Sequence, residues 1–107
     1  MKNLIKNHFL NSSKVIRSLK EFDNKIILIV ETFLNCKKKG KKILVAGNGG
    51  SSSDADHFTG ELICTFSKKS RKPLSALSLS SHPAAITAWS NDFGYETFFK
   101  RQVEANG

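Results

Sequence analysis

His57 and Glu61 stand four residues apart, just after a glycine-rich stretch, Gly47-Asn48-Gly49-Gly50. Four residues advance an α-helix by about 400°, so an imidazole and a carboxylate at this spacing share one face. Together they can bind a metal or move a proton. The spacing alone equally describes a surface ion pair, so the glycine stretch matters. Gly47, Gly49 and Gly50 remove side chains where backbone must approach a ligand closely. Asn48 tolerates a left-handed backbone and carries a donor amide. Ser51, Ser52 and Ser53 add hydroxyls beside the unpaired N–H groups of a helix start, a favourable place for an anion. A tight strand-to-helix turn with a serine cap would use the same residues. The stretch lacks both the G-x-G-x-x-G order and the P-loop lysine, so it is no nucleotide fingerprint. A zinc ion needs three or four ligands, and the sequence offers no convincing third. His82 reads as a cap or surface residue and His8 as a solvent or interface residue. Asn91 and Asp92 can hydrogen-bond sugar hydroxyls or form an Asx turn before Gly94.

These residues need elements to hold them. Apolar residues at helical spacing predict a helix over 3–20, bent near Asn11, Ser12 and Ser13. Asp23 or Asn24 caps a second helix that ends at Gly40 after three lysines. Both have wide apolar faces and call for a partner surface. Residues 42–46 read as a buried strand, 47–52 as the loop and 53–66 as the site helix, with Cys64 buried on it. Residues 67–72 form a basic loop that Pro73 ends. Residues 75–79 are a second strand, and Pro83 opens a short helix to Trp89. A turn at 91–94 leads to a last helix from Tyr95 to Glu104, with Phe98, Phe99 and Val103 inside. Strands alternating with helices imply a doubly wound parallel α/β sheet. Residues 1–40 are then a helical pair and 41–107 the first half of the sheet domain. Two parallel strands with open edges do not finish such a domain, so the chain is expected to be the N-terminal part of one.

The chain has 107 residues and 17 Lys and Arg against 9 Asp and Glu, a formal charge of +8. The lysine clusters sit at predicted helix ends, where cations suit the dipole. No aromatic residues interleave with them and no DNA-reading spacing appears, so nucleic acid is not the expected partner. No run approaches a membrane span. The N-terminus lacks the apolar core of a secretory signal, and the two cysteines have no metal-type spacing. A cytoplasmic location with reduced thiols is expected.

The ordered set Ala46-Gly47-Asn48-Gly49-Gly50-Ser51, Asp54-Ala55-Asp56-His57-Phe58, Glu61 and Asn91-Asp92-Phe93-Gly94-Tyr95 resembles the phosphoheptose isomerases, which are sugar isomerase (SIS) domain proteins. The resemblance spans the whole chain. It implies isomerisation of sedoheptulose 7-phosphate to D-glycero-D-manno-heptose 7-phosphate through an enediol, serving nucleotide-heptose synthesis for lipopolysaccharide or capsule. It implies a SIS-type parallel sheet and a homotetramer packed through the N-terminal helices. By position, Asn48, Gly49, Gly50, Glu61, Asn91 and Asp92 match substrate-binding residues. His57 and Glu61 match two ligands of one zinc ion, and Glu61 matches the catalytic proton-transfer residue.

The family pattern continues into a Ser/Thr-rich phosphate loop and a late helix with a glutamine and a histidine, none of which these residues contain. Relatives often carry arginine where Thr65 stands. The 107 residues alone are therefore expected to be inactive, with two zinc ligands missing. They are also expected to be partly molten or to associate through their apolar helices. Two other readings remain: a non-catalytic SIS module that binds a protein, and a sugar-phosphate sensor.

Overall fold

The computed structural model describes residues 1–107, which form two compact units, Met1–Asn35 and Cys36–Gly107. α1 spans Lys2–Ser18 and leads through a 3₁₀ turn, Leu19–Phe22, into α2, Asp23–Lys38, whose last three residues fall in the second unit. α1 runs unbroken through Asn11, Ser12 and Ser13, so the expected bend is absent there. The irregularity lies instead at the 3₁₀ turn, and Asp23 is the first residue of α2 rather than its cap. A serine inside a helix can bond back to its own backbone, as Ser18 does to Val15 O at 2.7 Å, without breaking the helix. Neither α1 nor α2 contains a buried residue.

The second unit opens with a helix stop. Gly40, at φ +64°, donates to Lys37 O at 3.1 Å, and Lys41 N donates to Cys36 O at 2.9 Å. This paired arrangement is the Schellman motif, which satisfies the last carbonyls of α2 and turns the chain into the sheet. β1, Ile43–Val45, and β2, Ala76–Ser78, pair in parallel with Ile43 opposite Ala76 and Val45 opposite Ser78. Both strands are shorter than the sequence suggests, and Ala46 is exposed. Between them runs α3, Gly50–Ile63, whose Ala55 and Thr59 are buried. α4, Pro83–Phe93, starts with proline at its first position. A short 3₁₀ turn, Tyr95–Thr97, then leads into α5, Phe98–Asn106.

Three expectations change here. Asn91 and Asp92 belong to the last turn of α4, not to a loop, because the stop signal is Gly94, at φ +89°, with its N–H on Ser90 O. Cys64 is exposed, because α3 ends at Ile63. Leu62 O, which a longer helix would present to Phe66, accepts instead from Leu74 N at 3.0 Å and Arg71 Nη1 at 2.9 Å. On α5 the inner pair is Phe98 and Gln102, while Val103 is exposed. The Gln102 side chain donates to Leu79 O, so a polar side chain occupies the core only because it is paired. Ile43, Ala55, Leu79 and Phe98 are the buried apolar residues, and α3 packs against both strands of the short sheet.

Candidate functional site

The glycine loop leaves the carboxyl end of β1. At Gly47 an added Cβ would collide with Ser51 O, so no other residue fits that backbone. Ser80, beyond the end of β2, fixes the same residue from the other side. Its Oγ accepts from Gly47 N at 3.1 Å and donates to Gly47 O at 2.8 Å. Gly49 has φ +54° and precedes α3, and the first turn forms as Ser51 N and Ser52 N donate to Asn48 O and Gly49 O. α3 therefore begins at Gly50, three residues earlier than expected, and Ser51, Ser52 and Ser53 lie within its first turn. Asn48 is exposed at the loop tip and its Oδ1 accepts from the Tyr95 hydroxyl.

On the outer face of α3 the helical spacing does what it predicts. His57 Nε2 lies 3.2 Å from Glu61 Oε1. The imidazole side chain is 80% exposed and the carboxylate 32%. Glu61 Oε2 is enclosed and has no hydrogen-bond partner. A carboxylate oxygen buried without a partner is costly, so the second oxygen is poised for a ligand, a metal or a proton. Asp54, His57, Phe58, Glu61 and Phe66 line an open groove of about 250 Å³. Arg71 steadies the end of the helix, donating to the Glu61 and Leu62 carbonyls.

Asp56, next to His57, points elsewhere. Its Oδ1 accepts from Ser78 Oγ at 2.5 Å and Ser81 Oγ at 2.7 Å. The Ser78 bond first, then the Ser81 bond, hold its pKa below the usual carboxylate value, against a smaller opposing effect of burial. Asp56 thereby pins α3 to the end of β2 while Ser80 pins the loop.

Of the residues singled out in the sequence, His57 and Glu61 come together directly. Asn48, Gly49 and Gly50 form the turn that opens the same helix. Asn91 and Asp92 are exposed near the end of α4, where Asn91 Nδ2 donates to Asp92 Oδ1 at 2.8 Å. His8 and His82 are exposed. Sequence reasoning passed over Tyr95 as a contact, and Arg71, Ser78, Ser80 and Ser81. The run Ser78-Leu79-Ser80-Ser81 at a strand's carboxyl end was the available signal, since ligands and loops of a parallel sheet gather there.

The donor set suits zinc in kind, with an imidazole and a carboxylate that has a spare enclosed oxygen. It does not suffice in number, because no group of three His, Cys, Asp or Glu that could hold a metal ion occurs in these residues.

Comparison with known proteins gives a consistent set of relatives. The SIS domain model matches residues 8–107. Phosphoheptose isomerase 1 of Campylobacter jejuni is 40% identical over 107 residues, covering 100% of this chain and 57% of its own length. The phosphoheptose isomerase of Helicobacter pylori strain Shi470 is 46% identical over 105 residues, 97% of this chain and 54% of its own. Among solved structures, phosphoheptose isomerase GmhA from Neisseria gonorrhoeae superposes with a TM-score of 0.88 at 31% identity, over 99% of this chain and 54% of that one. A phosphoheptose isomerase from Francisella tularensis gives 0.81 at 32%, over 100% and 57%. The chain spans about half the length of the curated relatives it matches.

Proposed function

The chain belongs to the SIS domain family, and from that premise we propose that it serves a sedoheptulose 7-phosphate isomerase. The observation that carries this reading is the His57–Glu61 pair, with Glu61 Oε2 enclosed and unpartnered on a helix that a glycine loop opens. The names of the relatives supply the substrate class, a phosphorylated heptose. The product is D-glycero-D-manno-heptose 7-phosphate, made for nucleotide-heptose synthesis in the cytoplasm.

An aldose–ketose exchange moves one carbon-bound proton between neighbouring carbons. Glu61 is the base: its free oxygen takes the proton from C1 of the ketose, leaving an enediol. After exchange with solvent it delivers a proton to C2, while a hydroxyl proton passes from O1 to O2. Such a proton transfer by a placed side chain contributes about 10²–10⁴ in rate. The backbone N–H groups around Asn48, Gly49 and Gly50, with the Asn48 amide, hold substrate oxygens. Asn91 and Asp92 bind sugar hydroxyls from α4. A zinc ion, when bound, polarises the carbonyl oxygen. His57 and Glu61 would be two of its ligands. The exposed apolar faces of α1 and α2 suit packing between copies, as a homotetramer.

In D2O, the protein expressed from its gene should place solvent deuterium on the carbon beside the carbonyl of sedoheptulose 7-phosphate, and Glu61→Gln should not. Equal incorporation by Glu61→Gln would remove Glu61 from the base role. The alternative reading is a sugar-phosphate sensor, which needs the same glycine-loop pocket but no base at Glu61. A sensor would bind the sugar phosphate and never exchange its proton.

A further inference from the structure

Asn48 ends in an amide with two unlike sides, an acceptor oxygen and a two-hydrogen donor. A free amide presents either side to a ligand. Here the Tyr95 hydroxyl donates to Asn48 Oδ1, across 47 positions of sequence. The tyrosine ring is itself held. It stacks on Phe98 at 6.5 Å between centroids and meets Phe99 edge-on at 6.3 Å. Phe98 is only 1% exposed, so the ring rests on the most enclosed side chain of the unit. Gly94, at φ +89°, makes the corner from which Tyr95 starts.

Resting on the sugar-phosphate reading above, we infer that Tyr95 is a positioning residue for Asn48. With Oδ1 engaged by the phenol, the Nδ2 donors are the side of the amide left for a ligand. A sugar phosphate is rich in acceptor oxygens, and its phosphate dianion only accepts, so the donor side is the one this ligand needs. Tyr95 also lies three residues beyond Asp92, so the bond ties the α4 end that carries Asn91 and Asp92 to the glycine loop.

Tyr95→Phe removes one oxygen and keeps the ring on Phe98. The measurement is calorimetric titration with sedoheptulose 7-phosphate, on the protein expressed from its gene, as a double-mutant cycle with Asn48→Ala. Tyr95→Phe should weaken binding about three- to tenfold, the worth of one net hydrogen bond. It should raise KM without lowering kcat. In the Asn48→Ala background it should change nothing further, since the two act through one bond. The same loss in that background, or no loss in the parent, overturns the inference while Asn48→Ala still reports a working site. If Asn48→Ala leaves binding unchanged, or the parent does not bind, the site reading falls and the inference with it.

Discussion

Glu61 divides its carboxylate between two tasks, one oxygen beside His57 and the other enclosed without a partner. That asymmetry separates it from an ordinary surface pair, which leaves both oxygens to water. His57→Ala should therefore weaken zinc binding by the protein, read by competition with a chromophoric chelator. Unchanged zinc affinity would take His57 out of the metal set. Asp56 makes a different prediction. Its pKa is lowered in the folded state by Ser78 and Ser81, so the stability it contributes is present above its ordinary value of 3.8 and is lost as pH falls below it. Asp56→Asn should flatten the acid side of the stability–pH curve and leave the neutral side with the same slope. Persistence of the full acid slope in that variant would contradict the bond pair. The His57–Glu61 contact was legible in the sequence because helical spacing fixes it within one element. Tyr95 on Asn48 and Ser80 on Gly47 were not, because they join residues 47 and 33 positions apart and only the packed sheet brings them together.

The elements were legible in order and type, and their ends were not. α3 stops at Ile63 because Arg71 and Leu74 take the carbonyl that the next turn needs. α4 runs on to Phe93 because Gly94, not Asn91, supplies the left-handed stop. Periodicity sees neither competing donor nor terminator three residues ahead. The strand-to-helix turn is where an element depends most on single residues. Gly47→Ala would force a Cβ against Ser51 O and should cost about 1–3 kcal/mol. Ser80→Ala leaves Gly47 N–H and C=O without their hydroxyl partner and should cost about 1–3 kcal/mol. Thermal denaturation of the two variants checks both values. A Gly47→Ala protein as stable as its parent would mean that the turn has another conformation open to it.

At the scale of the molecule, the two units contrast. Residues 36–107 bury a small core under a two-stranded sheet, while residues 1–35 leave Leu4, Phe9 and Ile16 at 75%, 68% and 67% exposure. Isolated apolar residues on a surface are ordinary, but rows of them along two successive helices are not. The chain should associate with itself at micromolar concentration, by sedimentation equilibrium, and charged substitutions at Leu4 and Phe9 should reduce that association. A monomer at all concentrations would contradict it. No helix is long and apolar enough to cross a membrane, so these faces are not spans. The proposed function makes Glu61 the base of a sugar-phosphate isomerase. Its most direct test is turnover and binding of sedoheptulose 7-phosphate by the expressed protein and its Glu61→Gln variant, measured side by side. Glu61→Gln should still bind the sugar phosphate while turnover falls by about 10²-fold or more. Full turnover by Glu61→Gln, or a parent that binds and never converts, would contradict it.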